Sequence, residues 1–207
     1  GKRTILNKSY RLAESIHAKA NKLIKRVKDR VDKEWTARDE KGQINIHPVE
    51  QLQKMKEGEW LILARDGYRL DKLEEELKIY GYFYERGDRT SINKRVHEAV
   101  LAWEDIRKGK ELDIKRVKSF YNYIKTGTGV DKKFKSMTNV DKDKMFTFDM
   151  LRDSYGLKLD KELPWFKALE NIESTKKTYV RMCLRRKENI RRAPRIKLST
   201  IHGSKGG

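Results

Sequence analysis

The chain has 207 residues, 37% hydrophobic and 39% charged, and its 50 basic against 31 acidic side chains give a net charge of +19. A single cysteine, Cys183, excludes an internal disulfide and a cysteine zinc site and fits a reducing, intracellular setting. No run of about 18 apolar residues is present and no apolar signal core follows the opening Gly-Lys-Arg-Thr, so neither a membrane span nor a secretory signal is expected. A start on Gly rather than Met reads as an excised or processed piece. The positive charge points first to nucleic acid, with a merely solvated basic surface as the alternative.

In chain order, Lys2 to Asn7 is a candidate strand, and Ser9 is placed to cap a helix over 10–30. There Leu12, Ile16, Ala20, Leu23, Ile24 and Val27 recur at helical spacing, which predicts one buried face. Residues 31–42 are polar and loop-like, Ile44 to His47 is a short strand, and Pro48 opens a short helix through Met55. Trp60-Leu61-Ile62-Leu63-Ala64 is a continuous apolar run, as expected of a parallel strand buried on both faces. A helix at 68–80, stopped by Gly81, and a strand at Tyr82-Phe83-Tyr84 complete a βαβ unit. Helical periods then follow at 92–108, 113–125, 147–155, 164–172 and 174–190, with a Gly/Thr/Lys/Asp-rich loop between 126 and 146. Pro194 breaks the last helix and Ile196 to Thr200 returns to strand. The pattern is α/β: a partial parallel sheet interrupted by a mostly helical insertion, with no internal repeat.

The C-terminal segment Leu198-Ser199-Thr200-Ile201-His202-Gly203-Ser204-Lys205-Gly206-Gly207 follows a strand with small, hydroxyl and glycine residues. Such a turn is expected to leave backbone N–H groups free for phosphates, with Thr200, His202 and Lys205 as side-chain donors; a flexible tail is the alternative. It is not a phosphate-cradling Walker A loop, because Lys205 is followed by Gly. Arg181, Arg185, Arg186, Lys187, Arg191, Arg192, Arg195 and Lys197 form a basic stripe leading into it, with Tyr179 and Trp165 nearby as stacking surfaces. The alternative is a solvated helix face whose aromatics are core. Arg65, at a strand's carboxyl end, suits either a ligand crevice or an ion pair with Glu74 to Glu76. His17, His47 and His97 are too scattered for a metal site, and no nucleophile with a paired base is evident.

Three segments carry a resemblance. Thr200-Ile201-His202-Gly203-Ser204-Lys205-Gly206 resembles the T-x-H-x-x-K-G motif of UvrD/Rep-type superfamily 1 DNA helicases. Leu6-Asn7-Lys8-Ser9-Tyr10-Arg11 resembles their L-x-x-N-Y-R-S motif through Tyr10 and Arg11, with Ser9 and Leu12 departing from it. Leu61-Ile62-Leu63-Ala64-Arg65, then Leu73 to Leu77, then Gly81-Tyr82, resembles the strand, helix and strand of the second RecA-like domain. Trp165-Phe166 and Cys183-Leu184-Arg185-Arg186 look most like phage-derived members.

The resemblance implies a partial second RecA-like domain of P-loop NTPase type at 1–90 and 191–207, with a helical accessory insertion at 91–190. It implies a fragment of an ATP-dependent DNA helicase in which Arg11 reaches the γ-phosphate. Tyr10, Arg65 and Gly206 would lie with it at the nucleotide. Thr200, His202 and Lys205 would contact single-stranded DNA, together with Arg185, Arg186, Arg191 and Arg192. ATP and Mg2+ would bind in the intact parent, whose first RecA-like domain carries Walker A and B. Neither motif occurs here, so the fragment alone is expected to be inactive. Partners would be single-stranded or forked DNA and that first domain, in the cytoplasm of a bacterial or phage-infected cell. The alternative is a non-enzymatic nucleic-acid-binding or protein-interaction domain.

Overall fold

A computed structural model describes residues 7–30, 34–46, 52, 55–138, 140, 141 and 143–204. The chain divides into two compact units, Gly1–Gln51 and Leu52–Gly207. The expected strand at 2–7 lies, apart from Asn7, outside the described residues, as do His47, Pro48, Lys205 and Gly206.

In the first unit, helix α1 spans Glu14–Ile24 and buries none of its residues, contrary to the apolar face expected there. Leu23, Ile24 and Val27 are about half exposed. Ser9 is not the cap of this helix. Its Oγ accepts from the N–H groups of Arg11 and Leu12, while the Glu40 and Lys41 carbonyls accept from Glu14 and Ser15 at the helix start. Residues 44–46 are not a strand.

In the second unit, β1 (Trp60–Ala64), α2 (Gly67–Ile79) and β2 (Tyr84–Arg86) follow as the sequence predicts, with β2 starting two residues late. Asp66 caps α2 by accepting from the Arg69 N–H at 3.0 Å. Gly87, at φ +57°, turns the chain into the short β3 (Arg89–Thr90). Helices α3 (Lys94–Ile106), α4 (Ile114–Tyr121), α5 (Phe148–Ser154), α6 (Trp165–Ala168) and α7 (Ser174–Arg185) come next, and then β4 (Ile196–Thr200). The sheet order is β1-β4-β2-β3, so the last strand slots between the first two and pairs parallel to both. Trp60–Ala64 and Ile196–Thr200 are thus neighbours in one sheet, and the helices between them form an excursion from it.

Among the described residues β1 is an edge strand, not one buried on both faces. Leu61 is 58% exposed and Leu63 45%, since only the face bearing Ile62 and Ala64 packs with Leu70, Leu77, Ile196 and Leu198 on the α2 side. The helices have their own core around Trp103, whose Nε1 donates to the Leu163 carbonyl at 2.9 Å. The 126–146 segment is a packed loop rather than an open one: Val130, Met137 and Phe146 are buried, and Lys135 Nζ caps the end of α4 by donating to the Tyr121 and Asn122 carbonyls.

The two cores meet where the 80–82 turn touches α7. Gly81 has φ +70°, and a Cβ there would lie 2.8 Å from Met182 Cβ and 3.0 Å from its carbonyl carbon. Gly81→Ala is therefore expected to cost about 2 kcal/mol or more, read as a lower urea midpoint, because left-handed strain and a backbone clash add. An unchanged midpoint would show that α7 can retreat at no cost.

Candidate functional site

Three strands run parallel, so their carboxyl ends reach one edge of the sheet, the edge where α/β folds bind ligands. Ala64 pairs with Thr200, and the Ile201 N–H donates to the Ala64 carbonyl at 2.9 Å. This brings Arg65 beside the turn at 201–204. Arg65 is exposed, and the acidic run on α2 does not hold it: Glu74 pairs instead with Arg86 at 2.7 Å and Arg89 at 3.5 Å. Among the described residues no ion pair joins Arg65 to Glu74, Glu75 or Glu76, and Arg86 is the structural arginine of this edge, also reaching Asp71 and the Gly67 carbonyl.

Three of the four described backbone N–H groups of the turn, at 201, 203 and 204, are engaged within the unit rather than free for phosphates. Ile201 donates to Ala64, Gly203 to Thr200 Oγ1 at 3.0 Å, and Ser204 to the Thr200 carbonyl at 3.0 Å. A threonine ending a strand satisfies the following N–H groups locally. Of the side chains at this edge, Arg65 and His202 are exposed and Thr200 is half-buried. Tyr10, 79% exposed, and Arg11, also exposed, belong to the first unit.

The basic stripe sorts into two sets. Arg186 donates to the Tyr80 carbonyl at 2.6 Å and stacks over the Tyr82 ring at 4.0 Å. Arg195 binds the buried Glu188, and Lys197 pairs with Glu85 at 2.9 Å. Arg191 reaches the buried Asp105 at 2.9 Å. These four tie the return segment to the rest of the unit. Arg185, Lys187 and Arg192 are exposed, and no carboxylate among the described residues pairs with them. Arg181 lies over the Phe166 ring at 4.6 Å. Trp165 is buried and is not the stacking surface the sequence suggested; Tyr179, whose hydroxyl donates to the Tyr82 carbonyl, and Phe166 are both half-buried.

No protein-family model, curated protein or solved structure matches the chain. The site therefore rests on its own geometry. A groove of about 600 Å³ beside α7 is lined by Glu104, Arg107, Lys108, Phe166, Lys187 and Arg191 among others, which combines a rim of mixed charge, with Arg107 and Lys108 paired to Glu104, and an aromatic floor. Sequence reading missed Asp105, Lys110 and Arg116; the two cations meet Arg191 at the Asp105 carboxylate, and their only signal was an acidic residue inside the apolar run of α3. The Cys183 thiol is pushed up to about 12 by burial, so it stays protonated at neutral pH. His97 sits against the Ile190 carbonyl and His17 edge-on to Trp35, both in packing roles.

Proposed function

We propose that the chain is part of a UvrD/Rep-type ATP-dependent DNA helicase, supplying single-stranded DNA contacts and an arginine surface for ATP held with Mg2+ in a partner RecA-like domain. The observation that carries this reading is the position of β4. The strand leading into Thr200-Ile201-His202-Gly203 lies inside a mostly parallel sheet, next to β1 and its Arg65, after a helical excursion. That arrangement fits a RecA-like second domain with an inserted accessory unit. The net charge of +19 and the exposed Arg185, Lys187 and Arg192 favour a polyanion over an uncharged partner. A cytoplasmic setting is part of the same reading; among the described residues no helix is long and apolar enough to cross a membrane.

Binding of labelled oligo-dT, measured by fluorescence anisotropy across a salt series, tests the reading. Affinity is expected to be weak, independent of sequence, and steeply salt-dependent. Replacing Arg185, Lys187 and Arg192 together by Gln is expected to flatten the log–log slope by about 2, at about 0.7 per phosphate on a single strand. Arg186 is left in place because it braces the 80–82 turn. An unaltered slope would remove this segment from the DNA path. DNA-stimulated ATPase on mixing with a separately expressed first RecA-like domain would distinguish a helicase part from a binding module.

A further inference from the structure

Asp105 lies near the end of α3 with only 5% of its side chain exposed, and three cations from three different segments converge on it. Arg116 Nη2, from α4, stands 2.6 Å from Oδ2. Lys110 Nζ, from the α3–α4 loop, stands 3.0 Å from Oδ1, and Arg191 Nη2, from the return segment, 2.9 Å from the same oxygen. Burial alone would raise the Asp105 carboxyl, but the Arg116 hydrogen bond to Oδ2 and the positive charges of Arg191 and Lys110 beside Oδ1, near it but not aligned to hydrogen-bond it, outweigh burial and hold the group well below the usual carboxylate range.

One carboxylate neutralises one of these three charges. It accepts about four hydrogen bonds, whereas two guanidinium groups and an ammonium carry roughly thirteen N–H donors. The remaining donors face outward: the Arg116, Arg191 and Lys110 side chains are 39%, 43% and 63% exposed. No second carboxylate among the described residues pairs with any of them. Two cationic nitrogens held within 3.0 Å of one oxygen stand no more than about 6 Å apart, a span one tetrahedral oxyanion bridges. Glu104, the nearest acidic neighbour on α3, is engaged by Arg107 and Lys108. Of the three cations, Arg191 also lines the groove beside α7, with Phe166, Lys187 and Glu104.

We propose that Arg116, Arg191 and Lys110, gathered by the buried Asp105, form a preorganised phosphate-binding site on the helical unit. Asp105 is a positioning residue: it fixes three long side chains that would otherwise spread in solvent, and so removes their ordering cost from binding. The phosphate comes either from a nucleic-acid backbone or from solution. Only the first source rests on the nucleic-acid reading above; the site itself does not.

The test exploits a sign difference. Asp105→Asn raises the net charge by one, so diffuse attraction predicts equal or tighter phosphate binding, whereas a preorganised site predicts weaker binding. The full chain would be titrated calorimetrically with inorganic phosphate at fixed ionic strength, and by anisotropy with labelled oligo-dT. Asp105→Asn is expected to weaken phosphate binding about fivefold or more. Lys110→Gln, at an exposed position that keeps Asp105 paired, should weaken it about threefold and covers the case in which Asp105→Asn does not fold. Lys161→Gln, elsewhere on the exposed surface, serves as the charge-matched control. Loss in both the phosphate and oligo-dT titrations supports the site with a backbone phosphate as ligand. Loss for phosphate without oligo-dT binding supports the site with free phosphate and sinks the nucleic-acid reading alone. Undiminished phosphate binding by Asp105→Asn, an equal effect of Lys110→Gln and Lys161→Gln, or no phosphate binding by the unaltered chain overturns the proposal.

Discussion

Arg195→Ala is expected to lower the stability of the Leu52–Gly207 unit by about 3–5 kcal/mol, the range for removing one partner of a buried ion pair. Glu188 has a side chain only 3% exposed and depends on Arg195 Nη2 at 2.7 Å. The same guanidinium donates to the Met55 carbonyl at 2.7 Å and the Gly58 carbonyl at 3.2 Å, and lies 5.6 Å from the centre of the Tyr82 ring. Truncation would strand a buried carboxylate and leave two carbonyls short of a donor. The penalty comes mostly from the orphaned charge, so Arg195→Met combined with Glu188→Leu should recover more than half of it. Urea unfolding followed by far-ultraviolet circular dichroism reads both values. A loss under about 1 kcal/mol for Arg195→Ala would mean that Glu188 finds water instead. This pair also bears on any mutational study of the basic segment, since Arg195 and Arg186 would weaken binding by loosening the fold.

The second large effect concerns Arg11. In an enzyme that joins this chain to a phosphate-binding first domain, Arg11→Ala is expected to lower DNA-stimulated ATP turnover by about a thousandfold, within the range for an arginine that meets developing phosphoryl charge. DNA affinity should change by less than about twofold. Arg11 is exposed, and no carboxylate among the described residues pairs with it, so its charge is available to a ligand. Arg11→Lys should restore little, because an ammonium lacks the planar fork that spans two phosphate oxygens. Turnover within threefold of the unaltered enzyme would remove Arg11 from the nucleotide site. Full rescue by lysine would reduce its role to a point charge.

The local elements were legible in the amino-acid order wherever a local cause sets them. The Trp60–Ala64 and Ile196–Thr200 runs are strands, and Asp66, Asn93, Asp113 and Thr147 cap helices close to where the periodicity placed them. Side-chain period and capping act over a few residues, so a linear reading captures them. Gly81 was readable as a helix stop for the same reason, although its contact with Met182 was not.

Other features depend on partners far along the chain. That β4 enters between β1 and β2 is decided by a pairing across more than a hundred residues. The fate of each arginine is decided in the same way. Arg185 and Arg186 are adjacent and identical in type, yet one faces solvent and the other is stacked on Tyr82, because the 80–82 turn packs against one side of α7. The sequence by itself determined the strongly positive charge, the α/β pattern and the helical excursion, all of which follow from composition and short-range periodicity. Only the tertiary structure decided which cations brace the fold, which remain open, and that one buried aspartate collects three of them, since burial and ion pairing are set by groups that the chain brings together from a distance.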